Sequence, residues 1–247
     1  MTPAPSKRAH RTIAQGFMEW DPLVRIYESR LWRRGPLLSL VTGISFDSEY
    51  TLIAGALQLE TGTRILDLAC GPGIYTRRFA QRRPDAVVVG MDLSSPMLRY
   101  ALRRTREERL ANVALVRGNA LAFPFGSGLF DAVNCCGALH LFPDVDRVLR
   151  EIRRVLRDHG RLTIAAFRRG DGAGARARAD LRRRLYGVDS FTPAGLMQRL
   201  EAAGFVGARC LHAVGIWLIV SAGTHAASSR GLPRASLSGA QSAEQEQ

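Results

Sequence analysis

The stretch Ile65-Leu66-Asp67-Leu68-Ala69-Cys70-Gly71-Pro72-Gly73 decides the fold. Its first part is a short apolar run, and it ends in a Gly-Pro-Gly turn. The residues beyond the turn, from about Tyr75 to Gln81, are helix-like. Strand, tight turn and helix in that order open a βαβ unit. Downstream the same alternation repeats. Ala86 to Met91 is a second apolar run closed by Asp92, after which Ser94 or Ser95 caps a helix carrying Pro96 in its first turn. Val113 to Val116 and Phe130 to Cys136 read as third and fourth strands. Asp144 to Leu156 reads as a helix, with Val145, Val148, Leu149, Ile152, Val155 and Leu156 on one face. A turn at His159-Gly160 then leads into a fifth strand, Leu162 to Phe167.

Strands separated by helices of this length make a parallel sheet covered on both faces, and such inner strands are apolar throughout. Residues 1–14 are polar and read as a flexible arm. The segment 15–59 is mostly helical, broken at Gly35-Pro36 and Gly43, with Ser45 or Asp47 capping a helix through Leu57. Residues 168–190, rich in Arg, Gly and Ala, read as an insertion or mobile loop. Thr192-Pro193 opens a helix to about Ala203, and Val206–His212 and Ile216–Ser221 are the last strand candidates. Residues 224–247, rich in Ser, Ala, Gln and Glu, read as a disordered tail. The expected fold class is α/β: a Rossmann-like, doubly wound, seven-stranded and mostly parallel sheet with an amino-terminal helical cap. It forms one domain over 15–223, divided into the cap at 15–59, a ligand-binding core at 60–167, the insertion at 168–190 and a closing helix with two strands at 191–223.

Composition agrees with one domain of this size: 247 residues, 46% of them apolar and 23% charged. Thirty-five basic against 22 acidic residues give a net charge of +13, and only Lys7 is a lysine. A field of that sign suits nucleic acid, an anionic surface or acidic ligands. A near-total preference for Arg over Lys also fits a genome-wide codon bias. The longest apolar run, Ile216 to Val220, is far below the roughly 20 residues of a membrane span. Residues 1–18 lack the apolar stretch of a secretory signal. The four cysteines show no C-x-x-C spacing, which argues against a zinc finger or disulfide scaffold and makes the cytoplasm the expected compartment.

In an open parallel sheet, ligands bind beyond the carboxyl ends of the strands at the switch point. The Cys70-Gly71-Pro72-Gly73 turn stands there, with backbone bare enough for a ligand to lie against it. Asp92, nineteen residues past Gly73, ends the second strand, where a carboxylate can accept both hydroxyls of a ribose. An adenosine-containing ligand fits these features. The dinucleotide fingerprint G-x-G-x-x-G does not, because Thr76 holds its last position. The acidic strand end Asp67 suits a ligand bearing an amino group.

Four segments then resemble the class I S-adenosylmethionine-dependent methyltransferases, type 11 group, within it the enzymes related to ubiquinone and menaquinone biosynthesis. They are Ile65 to Gly73, Gly90 to Leu98, Gly118 to Phe125, and Phe130-Asp131-Ala132-Val133 through Ala138-Leu139-His140 to Gly160-Arg161-Leu162. The resemblance implies S-adenosyl-L-methionine as cofactor. It implies Asp67, Ala69, Gly71 and Gly73 around the amino-acid portion, and Asp92 on the ribose. Leu93 and Met97 would lie against the adenine. Asn119, where the family usually carries Asp, would accept from the adenine amino group, with Ala120 and Leu121 beside the ring. Cys136, Gly137 and Ala138 would lie near the methionine part, and Tyr27 would close over its carboxylate.

Methyl transfer needs positioning more than side-chain chemistry, and a base only where the acceptor loses a proton. His140 is the candidate base, with a structural hydrogen-bonding role as its alternative. Cys70, Cys135 and Cys136 lie at neighbouring strand ends and read as small packing residues, so no metal is expected. The aromatic residues of 15–59 and 168–191 suggest a small lipophilic or aromatic acceptor, methylated on oxygen or carbon. The arginines of 25–34 and 168–184 could recognise a carboxylate or phosphate. Two rivals remain: an RNA or protein methyltransferase, for which no RRM, KH or OB pattern is present, and a non-catalytic adenosine-ligand-binding protein. Oligomeric state is not encoded in any motif.

Overall fold

The computed structural model describes residues 36–172 and 174–225. The arm 1–14, the first part of the cap with Tyr27, and most of the tail lie outside the described residues. Helices α1 (Pro36–Thr42) and α2 (Phe46–Leu57) precede strand β1 (Arg64–Leu68). Then come α3 (Ile74–Arg82), β2 (Val87–Asp92), α4 (Ser95–Glu107), β3 (Val113–Arg117) and β4 (Phe130–Cys136). A short 3-10 turn, Leu139–Leu141, leads to α5 (Val145–Val155) and β5 (Leu156–Phe167). Helices α6 (Ala175–Tyr186) and α7 (Pro193–Ala202) and strands β6 (Val206–Val214) and β7 (Trp217–Gly223) complete the chain order.

The strands form one seven-stranded sheet in the order β3-β2-β1-β4-β5-β7-β6. Strands β1 to β5 are parallel, and β7 runs antiparallel to both β5 and β6. The chain winds outward from β1 in one direction and restarts at β4 in the other, so the switch point lies between β1 and β4. In the register, Leu66 pairs with Val89 on one side and Val133 on the other.

Side chains of these strands alternate between two cores. Leu66, Leu68, Val133, Cys135, Leu162 and Ile164 pack in one, which α5 and α7 cover with Leu149, Ile152, Leu196 and Leu200. Ile65, Val88, Ala132, Ala165 and Ile219 pack in the other, under Tyr50 and Ile53 of α2 and Phe79 of α3. The α5 stripe at 145, 148, 149, 152 and 155 is buried as its spacing requires, and Asp144 caps the helix by accepting from the Arg147 N–H at 2.9 Å. Of the alternative caps, Ser45 begins α2 and Ser94 begins α4.

Two expectations are corrected. Strand β5 starts at Leu156 rather than Leu162, because Leu156 already pairs with Phe130. The next pair is Ala132 with Arg161, so β5 absorbs the expected His159-Gly160 turn as an irregularity, with His159 at φ 64°. Residues 168–190 are not simply a loop, since they contain α6. Arg and Ala are strong helix formers, but of α6 only Ala175 and Ala179 are buried. With so thin an apolar stripe, the periodicity that reveals α5 is missing.

Candidate functional site

The turn after β1 is built from alternating left-handed residues: Ala69 at φ 53°, Gly71 at 53° and Gly73 at 79°. It is held from within by the Gly73 N–H donating to the Cys70 carbonyl at 2.9 Å, and from β2 by the Cys70 N–H donating to Met91 at 3.0 Å. The two glycines serve different ends. A Cβ at Gly71 would meet no atom within 4 Å, so its bare backbone faces open space. A Cβ at Gly73 would stand 3.1 Å from Ala101 Cβ, so that glycine lets α4 pack close. Ala69 holds a left-handed conformation that an L side chain resists by about 1 kcal/mol. Ala69→Gly is therefore expected to raise thermal stability by about 1 kcal/mol, roughly 2–4 °C in Tm, as measured by calorimetric melting.

Asp92 stands beside Gly71 at the end of β2. Its Oδ2 accepts from the Gly71 N–H and its Oδ1 from the Ser94 N–H, both at 2.8 Å. Burial pushes its carboxyl up, and these backbone N–H groups oppose that shift. The carboxylate thus joins the β1 turn to the start of α4 while remaining only half-buried.

Asp67 lies under the turn rather than on its open side, being 2% exposed. Thr76 Oγ1 donates to it at 2.5 Å and Asn134 Nδ2 at 2.8 Å. Thr163 Oγ1 in turn donates to Asn134 Oδ1 at 3.1 Å. This buried chain ties α3, β1, β4 and β5 together directly beneath the turn. Burial raises the Asp67 carboxyl to about 6, against the lowering effect of its hydrogen bonds. Thr76 and Asn134 were not among the sequence-derived site residues. The signal was present, since Thr76 replaces the glycine of the dinucleotide fingerprint, and its hydroxyl is what that position contributes here.

The remaining candidates lie along the strand order. Leu93 is exposed and Met97 buried on either side of the α4 start. Asn119, Ala120 and Leu121 form a tight turn after β3, in which the Leu121 N–H donates to Asn119 Oδ1 at 2.9 Å. That carbonyl oxygen already serves the turn, leaving one lone pair for any ligand. Across the switch point, Cys136 and Gly137 are half-buried and Ala138 buried. Ala69, Gly71, Asp92, Asn119 and Cys136 are therefore gathered at the carboxyl ends of β1 to β4.

His140 is 4% exposed, its ring stacked on Phe167 at 4.0 Å, and its Nδ1 accepts from the Phe167 N–H at 3.4 Å. Burial, reinforced by the nearby Arg182 charge, lowers the imidazole to about 3. Such a ring stays neutral, and its contacts are those of the structural hydrogen-bonder that stands as the alternative to a base. Glu49 went unnoticed in the sequence, where a lone acid on a helix carries no signal. It is 7% exposed, and its Oε1 accepts from Trp217 Nε1 at 2.7 Å and from Cys136 Sγ at 3.4 Å. This fastens the first turn of α2 to the end of β4 and the start of β7. Among the described residues no group of three His, Cys, Asp or Glu side chains could hold a metal ion.

With this geometry in view, the relatives are informative. Residues 65–160 match the protein family described as methyltransferase domain. The central segment thus has a methyltransferase domain's sequence pattern. The chain is 39% identical over 140 residues to a demethylmenaquinone methyltransferase of Thermus thermophilus, covering 56% of this chain and 63% of that one. It is 32% identical over 153 residues to an uncharacterized chloroplastic methyltransferase of Arabidopsis thaliana, covering 60% and 43%. The chain thus spans less than two thirds of the length of these relatives. In solved structures the same fold occurs in a Haemonchus contortus phosphoethanolamine N-methyltransferase complexed with S-adenosyl-L-methionine (TM-score 0.65, 21% identity, 77% of this chain and 43% of that one). It also occurs in the cyclase SpnF (TM-score 0.64, 19% identity, 82% and 95%). At these identities the likeness concerns the fold. The sheet order and strand-end turn are those of the Rossmann-like class I architecture expected from the sequence.

Proposed function

We propose that this protein is an S-adenosylmethionine-dependent methyltransferase of the type 11 group. Its acceptor would be a small lipophilic or aromatic molecule, methylated on oxygen or carbon. The observation that carries the reading is the pairing of Asp92 with a bare Gly71 at the switch point. Together they offer a carboxylate for ribose hydroxyls and open backbone for the amino-acid portion. The fit extends to the exposed Leu93 as an apolar wall for the adenine, with Met97 buried behind it, and to the residual acceptor capacity of Asn119.

When bound, S-adenosylmethionine supplies a methyl group on a positively charged sulfur, already an excellent electrophile. The work of this chain is then to orient the ligand and to hold the acceptor in line. Asp67, Thr76 and Asn134 keep the turn rigid from below. Cys136 to Ala138 border the place where an acceptor would arrive, and Glu49 fixes Cys136. Tyr27, outside the described residues, keeps its proposed role over the ligand carboxylate. A quinone-like aromatic acceptor agrees with the names of the demethylmenaquinone relatives. The four cysteines are free, which fits a reducing, cytoplasmic setting. Among the described residues no helix is long and apolar enough to cross a membrane.

The test is transfer of a labelled methyl group from S-adenosylmethionine into a small-molecule extract, with total RNA in parallel. Label in the organic-soluble fraction is expected. Label confined to RNA or protein would overturn the small-molecule reading. Because a cyclase shares this fold, transfer itself and not only ligand binding must be measured.

A further inference from the structure

On the sheet face covered by α5 and α7, a cavity of about 630 Å³ opens between α5, α6 and α7. Its wall holds five arginines and three aspartates. Two of the arginines are engaged: Arg199 lies 2.7 Å from Asp146, and Arg183 lies 3.9 Å from Asp189. Arg150, Arg169 and Arg176 have no acidic partner within 4 Å among the described residues, and Asp180 is the one acid of the wall outside those pairs. The wall therefore keeps a positive excess.

A second observation is independent of charge. Ser190, also in the wall, is 5% exposed, and its Oγ is buried with no hydrogen-bond partner. Buried hydroxyls are rarely left so. Its position is fixed by the backbone on both sides. The Asp189 N–H donates to the His140 carbonyl at 2.8 Å, and the Phe191 N–H donates to the Phe167 carbonyl at 2.9 Å. Two residues on, Thr192 caps α7, a ten-residue helix whose amino-terminal residues Thr192 and Gly195 border the same cavity.

We propose that this cavity binds an anionic group, a carboxylate or phosphate, held by Arg150, Arg169 and Arg176 with the Ser190 hydroxyl donating to it. Guanidinium groups present fixed pairs of donors that match such oxyanions, and the positive end of a helix adds to the attraction. A cation would be repelled by the positive excess of the wall. The segment 189–191 connects the cavity to the ends of β4 and β5, so the anionic group lies on the side of the sheet where an acceptor would be held. The site does not depend on the function proposed above.

The experiment titrates the full chain with inorganic phosphate against sodium chloride at matched ionic strength, read by melting temperature and calorimetry. Phosphate-specific stabilisation is expected, weakened about tenfold or more in Arg169→Ala/Arg176→Ala and less in Ser190→Ala. Arg103→Ala, on the exposed face of α4, should bind as the unaltered protein does. No phosphate-specific effect in the unaltered protein, or equal affinity in the double variant, would overturn the proposal. Labelled methyl transfer into extract by the double variant then separates the sources. Lost transfer assigns the anion to the acceptor, and retained transfer assigns it to a free anion, the site standing in either case on the titration. S-adenosylmethionine binding on the same samples is a separate readout, whose absence counts against the proposed function and not against this site.

Discussion

Asp92→Ala is expected to reduce S-adenosylmethionine affinity by at least about a hundredfold while the protein still folds. Each hydrogen bond from a ribose hydroxyl to a carboxylate contributes about 1.5–3 kcal/mol, and the substitution removes both. It also releases the Gly71 and Ser94 N–H groups that Asp92 now holds. The first of these belongs to the turn on which the amino-acid portion would lie, so two parts of the ligand lose their support together. The structural penalty is about 1–3 kcal/mol, the cost of leaving the Gly71 and Ser94 N–H groups without their carboxylate. Calorimetric titration gives the affinity, and denaturant unfolding shows that the variant is folded. Gly71→Val is the complementary change. It strains a left-handed residue but meets no atom within 4 Å at its Cβ, so it should fold and yet fill the space a ligand needs. Affinity within threefold of the unaltered protein in both variants would place the ligand elsewhere.

The second large effect is in the pH dependence of stability. Burial raises the Asp67 carboxyl from 3.8 to about 6. Below 3.8 the group is neutral in both folded and unfolded chains, and its contribution is fully present. As pH rises through 6 the folded protein must ionise a buried carboxyl, and about 2–3 kcal/mol is lost. His140 acts in the opposite sense. Its imidazole is lowered from 6.5 to about 3, so stability is complete above 6.5 and falls as pH drops from there toward 3. Between about pH 4 and 6 the two slopes largely cancel. Asp67→Asn keeps a partner for Thr76 and Asn134 but removes one of the two opposing effects. The stability of that variant minus that of the unaltered protein is expected to rise by about 2–3 kcal/mol from pH 4 to pH 8, read by denaturant unfolding across the range. A difference that stays flat would mean that Asp67 is not held with a raised affinity for its proton.

The sequence made the centre of the sheet legible because its inner strands are buried on both faces. Runs such as Ile65 to Leu68 and Leu162 to Phe167 have no other use in a chain of this kind. The stripe of α5 was equally visible, being the buried face of one helix. Helix α6 was not, because Ala175 and Ala179 are its only buried residues and half of its other positions are arginine. The site divides along the same line. Gly71 and Asp92 stand out because their chemistry is tied to their place at a strand end. Asn134, Glu49 and Ser190 do not, since each matters through a partner far away in the chain: Asp67, Trp217 and a cavity wall shared with α5. The +13 charge that colours the whole sequence becomes local in the structure. Arg150, Arg169 and Arg176 gather at one cavity, whereas Arg103, Arg104 and Arg154 are engaged with neighbouring glutamates on their own helices.

The most direct measurement of the central claim is a calorimetric titration of the full chain with S-adenosylmethionine, with NAD and Asp92→Ala as controls, followed by labelled transfer on the same preparation. Saturable binding of S-adenosylmethionine and not NAD, loss of that binding in Asp92→Ala, and label in a small molecule are the predicted results. No binding, or binding that Asp92→Ala leaves unchanged, would contradict the account.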